Sequence, residues 1–249
     1  MIIKKTLSLA ASIINLIILK LLFFTNCNAL ENNSKYFSND SGILSLMYHR
    51  FNENKYPSTN IRMDIFKEQM SLIKELGYEF YSPKLFLEEF KKPKSNKKIL
   101  ITIDDGFKSF YNEAWPYLKK NKIPFILFVS TEPVGSTGYM NWEQIKEIEN
   151  SGHIIGLHSN SHPMKIDDLD ILEQKEEYQK NVNHLRSILN QDIISMSHPC
   201  GNYDSNTLKI LQDLGIKIGF RSNTSIESIK SNLEIPREDH ANILKVIQK

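Results

Sequence analysis

The sequence predicts an α/β protein built on a parallel sheet. Three observations predict it: short apolar runs rich in Ile, Val and Phe, amphipathic stretches of helical period between them, and regular alternation of the two from Ile43 onward. Such alternation gives βαβ units, closed into a barrel or open as a doubly wound sheet. In both, reactive groups gather beyond the carboxyl ends of the strands. With 249 residues, 41% hydrophobic and 24% charged, the composition is globular, and one large domain is the simplest organisation.

The amino terminus reads as a targeting segment. Lys4 and Lys5 precede an apolar run from Leu7 to Leu19, followed by Lys20, Leu21, Leu22, Phe23 and Phe24. The run falls short of the roughly 20 residues of a comfortable membrane span, and Cys27-Asn28-Ala29 resembles a cleavage site. Residues 1–29 are therefore expected to be a signal peptide that exports the chain to the periplasm or beyond. Membrane contact is expected only if that segment is retained as an anchor. Phe24, Thr25 and Asn26 before Cys27 do not suit a lipoprotein signal. Residues 30–41 are polar and aperiodic and read as a linker, leaving 42–249 as the folded domain. Cys200 would then be the one thiol left, so no internal disulfide is available.

Strands are expected at Ile43 to Met47, Ile99 to Ile103, Phe125 to Ser130, Ile154 to Leu157, Ile193 to Ser197 and Ile216 to Phe220. Helices are expected between them. Asp64 to Leu76 spaces Ile65, Phe66, Met70, Ile73 and Leu76 at three and four residues and stops at Gly77. Asn141 to Asn150 and Ser205 to Leu214 end likewise at Gly152 and Gly215, Lys108 to Lys120 has helical character, and Asp167 to Asn190 is the longest helix.

Charge excludes one class of partner. Lys and Arg number 31 against 29 Asp and Glu, and without Lys4, Lys5 and Lys20 the body holds 28 against 29, a net charge of −1. It lacks the basic stripe that binding a nucleic-acid backbone requires.

Three segments place chemistry on the carboxyl rim. Lys98 to Phe107 is an apolar strand delivering Asp104 and Asp105 and then Gly106 into a strand-to-helix crossover. Alone it could be an ordinary Asp-Gly turn. His153 to Pro163 is a strand ending at His158, with His162 four residues on, a spacing at which two imidazoles can turn to one point. One carboxylate and two imidazoles make a three-ligand metal set with an open position, and a second carboxylate beside it can serve as base. Adjacent strand residues face opposite ways, so both aspartates can share a site only where the ladder ends. Ile193 to Tyr203 runs into a tight loop at Pro199, Cys200 and Gly201, whose backbone could offer an N–H to developing negative charge.

Together these segments resemble the polysaccharide deacetylases of the NodB-homology type, carbohydrate esterase family 4. The resemblance rests on Ile101 to Gly106, His158 to Pro163 and Ser197 to Tyr203, and covers the chain from about Ile43. Leu46-Met47-Tyr48-His49-Arg50, with Phe66 to Gln69 and Leu76 to Tyr78, resembles the branch containing poly-β-1,6-N-acetylglucosamine deacetylases. It implies a distorted (β/α) barrel with fewer than eight strands, about seven. It also implies a divalent metal, zinc foremost, on Asp105, His158 and His162, with Asp104 as base and an N-acetylated amino-sugar polymer as substrate. Pro199, Cys200 and Tyr203 would face the sugar, with the Cys200 N–H holding the oxyanion.

Two departures stand out. Ser197 occupies the place where many relatives carry a base-orienting arginine, and Arg237 is the expected substitute. The Leu-x-Leu-His ending that supplies their acid is absent, which leaves His240 as first candidate and His198 as second. His49 follows the first strand and has no assigned role. Rival readings are a carbohydrate-binding module that keeps the metal without efficient turnover, and an amidohydrolase of a small non-sugar C–N bond. A paired-carboxylate glycosidase would leave both histidines unexplained.

Overall fold

The computed structural model describes residues 43–89, 98–222 and 231–247; the expected signal peptide and linker lie outside the described residues. In chain order come β1 (Ile43–Tyr48), β2 (Arg50–Phe51), β3 (Asn60–Ile61), α1 (Met63–Glu75), β4 (Glu79–Phe80), α2 (Pro83–Glu89) and β5 (Lys98–Ile103). A π-helical turn (Phe110–Ala114) leads into α3 (Trp115–Asn121), then β6 (Phe125–Val129), α4 (Trp142–Asn150), β7 (Ile154–Leu157) and α5 (Ile171–Ile188). The rest are β8 (Ser195–Ser197), α6 (Ser205–Asp213), β9 (Ile218–Phe220), β10 (Glu238–Asp239) and α7 (Ile243–Ile247).

Seven strands run parallel in the order β10-β1-β5-β6-β7-β8-β9, and short β4 pairs with the start of β5. They curl into the distorted, half-barrel form of the expected (β/α) fold. The segment after residue 231 draws its ends together: Ile235 bridges Phe220 of β9, and Glu238 pairs with Leu46 of β1. β2 and β3 form a separate small sheet.

Period-two alternation sorts the strand side chains into two cores. Ile99, Ile101 and Ile103 of β5 pack with Phe66, Trp115 and Leu118 under the helices, while Leu100, Ile126, Phe128 and Phe220 form a smaller cluster inside the curl. Strands buried on both faces need apolar residues at every position, which is why they read as unbroken Ile, Leu and Phe runs.

Several boundaries differ from expectation for local reasons. α5 begins at Ile171, not Asp167, because Asp170 caps it in a capping box with Glu173, and residues 166–168 form a separate 3₁₀ turn. α4 starts at Trp142, with Asn141 as its capping residue. β9 begins at Ile218 because the Ile216 N–H is spent on the Leu211 carbonyl, closing α6.

Candidate active site

β5 ends where two carboxylates come to face one rim. Leu100 and Asp104 share the inner parity, and the Asp104 N–H donates to the Tyr48 carbonyl at 2.9 Å. Asp105 would point the other way, but its φ of +74°, followed by +80° at Gly106, turns the backbone so that its carboxylate also reaches the rim.

β7 supplies the imidazoles. Gly156 packs against Phe128 so closely that a Cβ there would lie 2.6 Å from the ring and 2.7 Å from the Ser195 carbonyl. Two residues on, His158 is buried on the same face. Ser159 and His162 take φ of +58° and +59°, and the Ser159 hydroxyl accepts from the His162 N–H at 3.1 Å, which curls the loop back on itself.

The result is a compact donor cluster. Asp105 Oδ1 lies 3.2 Å from His158 Nε2 and 3.3 Å from His162 Nε2, and all three donors fall within 4.8 Å of one another. His158 Nδ1 is 2.8 Å from the Ser197 carbonyl. A carbonyl only accepts, so Nδ1 bears the proton and the Nε2 lone pair faces Asp105, the arrangement metal-binding histidines adopt. One carboxylate oxygen and two imidazole nitrogens, with His162 partly open to solvent, suit a divalent ion with a free coordination position. Beside the cluster lies a cleft of about 260 Å³ lined by Asp105, Phe107, Glu132, Tyr139, Ser161 and His162.

Asp104 is held differently. Arg237 grips it with both fork nitrogens, Nη1 to Oδ1 at 2.8 Å and Nη2 to Oδ2 at 2.7 Å, and the Ser197 hydroxyl donates to Oδ2 at 3.0 Å. The same guanidinium donates to Ser197 Oγ at 2.7 Å, Thr102 Oγ1 at 3.0 Å and the Arg221 carbonyl at 3.3 Å, and is fully buried. Burial pushes the Asp104 carboxyl upward, but the Arg237 charge, His158 and the Arg237 hydrogen bonds outweigh it and hold the group well below the usual carboxylate range. Asp105 is lowered too, with burial outweighed by His158, His49 and His162. Burial lowers His162, helped by the charge of His158, whereas His158 is raised because both aspartates overcome its burial.

The remaining candidates fall in several places. Pro199 and Gly201 bound a 3₁₀ turn with Cys200 at φ +52°. The Gly201 and Asn202 N–H groups are spent on His198 and Pro199 carbonyls, whereas the Cys200 N–H has no partner among the described residues. Tyr203 stacks on His198 with ring centroids 4.2 Å apart and donates to Glu234 at 2.9 Å. His198 is itself buried, its Nε2 donating to the Leu233 carbonyl at 2.8 Å. His240 lines a second cleft, with Asn60, Arg62 and Gln69, and its Nδ1 lies 3.3 Å from Asp239. The histidine that sequence reasoning left without a role is His49: its Nδ1 is buried without a partner among the described residues, and its charge acts on Asp104, Asp105 and His240 alike. Its position directly after β1, on the reactive rim, was the available signal.

This geometry meets known proteins at the level of family. Residues 91–219 match the family model described as polysaccharide deacetylase. The chain belongs to that family. It is 30% identical to YxkH of Bacillus subtilis over 177 residues, which is 70% of this chain and 62% of the length of that protein. It is 24% identical over 241 residues to the poly-β-1,6-N-acetyl-D-glucosamine N-deacetylase of Staphylococcus epidermidis, covering 85% of this deacetylase-family chain and 83% of the relative. Among solved structures, the Streptococcus pyogenes deacetylase PplD in complex with acetate superposes with a TM-score of 0.74 at 27% identity, covering 82% of this chain and 97% of that one.

Proposed function

We propose that this chain hydrolyses N-acetyl groups on an N-acetylglucosamine-containing polysaccharide. The observation that carries the reading is a carboxylate clamped by a buried arginine next to a three-donor Asp-His-His cluster. The name of the Staphylococcus epidermidis relative points to a β-1,6-linked polymer, and the cleft of about 260 Å³ beside Asp105 offers room for an acetamide.

A divalent ion, zinc foremost, when bound by Asp105, His158 and His162, supplies Lewis-acid chemistry that polarises a carbonyl and acidifies a water. Asp104 is the base: its carboxylate stays ionised and is fixed in one orientation by the Arg237 fork and Ser197. The unspent N–H of Cys200 donates to the carbonyl oxygen as charge develops there. For the proton that lets the amine depart, His49 is preferred to His240: both have a buried Nδ1 without a hydrogen-bond partner among the described residues, but the His49 charge reaches both aspartates, whereas His240 opens into the other cleft. Pro199 sets the turn that presents Cys200, and Tyr203 braces that turn through His198. Residues 1–29 act as the export signal, which places the enzyme where such polymers are.

Acetate release from β-1,6-linked N-acetylglucosamine oligomers, chitin oligomers and peptidoglycan fragments tests the reading. Release should be fastest from the β-1,6-linked series and should stop with a chelator. Oligomer binding without acetate from any of the three would instead support a carbohydrate-binding module.

A further inference from the structure

The opposite rim of the sheet carries a feature the deacetylase reading does not use. A cleft of about 360 Å³ opens at the amino ends of β6 and β7, lined by Lys84, Lys119, Lys122, Trp115, Pro124 and His153. None of the described residues lining it is acidic. Lys119 pairs with Glu147 at 3.0 Å and Lys98 on the same rim pairs with Glu79, while Lys84 and Lys122 are exposed with no ion-pair partner among the described residues. Leu85, next to Lys84, is 45% exposed, one of the larger apolar groups left in solvent. β5 enters this rim at Lys98. β1 enters here too, its first residue Ile43 paired with Lys98, so the sequence preceding Ile43 joins the fold at this end.

We propose that this lysine-lined rim is a docking surface for an anionic membrane. Lysines near a bilayer of acidic lipids gain from its negative surface potential, and an exposed leucine beside them can enter the headgroup layer. A neutral N-acetylated sugar would draw nothing from the unpaired charges of Lys84 and Lys122. The direction also fits: the Asp105–His158–His162 cluster lies past the carboxyl ends of β5 and β7, so docking through the amino ends turns the reactive rim away from the bilayer, toward polymer.

The test is sedimentation of the exported protein, without residues 1–29, with vesicles of phosphatidylcholine alone or with phosphatidylglycerol added. The wild type should bind the acidic vesicles more tightly, and Lys84→Glu/Lys119→Glu/Lys122→Glu should weaken that binding roughly a hundredfold, at about fivefold per lysine. Lys146→Glu/Lys175→Glu/Lys209→Glu, the same charge change on exposed faces of α4, α5 and α6, should change it less than threefold. Both triple variants should keep the wild-type melting temperature and acetate release from soluble oligomers. Equal weakening by both, equal binding to neutral and acidic vesicles, or displacement from vesicles by millimolar inorganic phosphate or by soluble teichoic acid would overturn the proposal.

Discussion

Asp104 and Asp105 adjoin in sequence, yet their surroundings divide the work between them. Asp105 faces two imidazoles, whereas Asp104 faces one guanidinium and one hydroxyl. Asp104→Asn should therefore lower acetate release by about 10² to 10⁴ while leaving bound metal unchanged, measured by mass spectrometry of the dialysed protein. Parallel loss of metal would move Asp104 into the ligand set. Arg237 touches Asp104 through both fork nitrogens, so the proposed base depends on it. With the guanidinium gone, burial pushes the carboxyl up, so the protonated fraction at a given pH rises and the acid limb of the rate profile should move to higher pH. Arg237→Met should show this shift along with a stability loss of roughly 3 to 5 kcal/mol, and Arg237→Lys, which keeps the charge and loses the fork, a smaller one; an unmoved acid limb in both would contradict the assignment. At this scale the short motifs were legible because Asp104 with Asp105, and His158 with His162, are neighbours along the chain. The Arg237 contact joins residues 133 apart, and no spacing rule reaches that far; Arg237 was expected only as the substitute for the arginine that Ser197 replaces. His240 drew notice by elimination, and the structure places it on the cleft lined by Asn60, Arg62 and Gln69.

The elements locate the site through small fitting details. β7 passes so near Phe128 and the Ser195 carbonyl that only glycine fits at position 156, and His158 depends on that spacing. Gly156→Ala should cost about 1 to 3 kcal/mol by overpacking in chemical denaturation, and should weaken metal retention more than a surface substitution of equal destabilisation. Unchanged stability would show that the strand can shift. The capping oxygen of Asp170 accepts from the Leu172 and Glu173 N–H groups at 2.8 and 2.9 Å, a feature of a kind whose loss costs about 1 kcal/mol. That cap shows why boundaries were harder to read than elements: the apolar stripe of α5 extends to Leu169 in the sequence, but Asp170 cuts the helix off after it. The two-residue strands β2, β3, β4 and β10 carry no period to detect. Their pairing comes from neighbours distant in sequence, as with Glu238 beside Leu46.

On the scale of the whole molecule, the parallel sheet was legible in the alternation of apolar runs, but its closure was not, since Ile235 to Asp239 joins β9 to β1 without an apolar pattern of its own. That seam brings in Arg237 and covers His198. Burial, aided by the Arg237 charge and opposed by the Leu233 hydrogen bond, drops His198 from 6.5 to about 4. A histidine lowered in the folded state contributes stability that is fully present above its unfolded value and lost as pH falls through the folded one. Stability should thus decline between pH 6.5 and about 4, by roughly 3 kcal/mol from this group at 1.36 kcal/mol per unit. His198→Gln, whose amide can still donate to Leu233, should flatten that decline in urea midpoints taken across the range; an identical slope would place the acid sensitivity elsewhere.

The central claim is that one metal ion held by Asp105, His158 and His162 makes this fold a deacetylase. Its most direct test is a titration of chelator-stripped protein with zinc, following acetate release from β-1,6-linked N-acetylglucosamine oligomers and metal stoichiometry together. The account predicts no release without metal, recovery that saturates near one ion per chain, and neither binding nor release in His158→Ala/His162→Ala. Undiminished acetate release from the stripped enzyme, or full metal binding by the double variant, would contradict it.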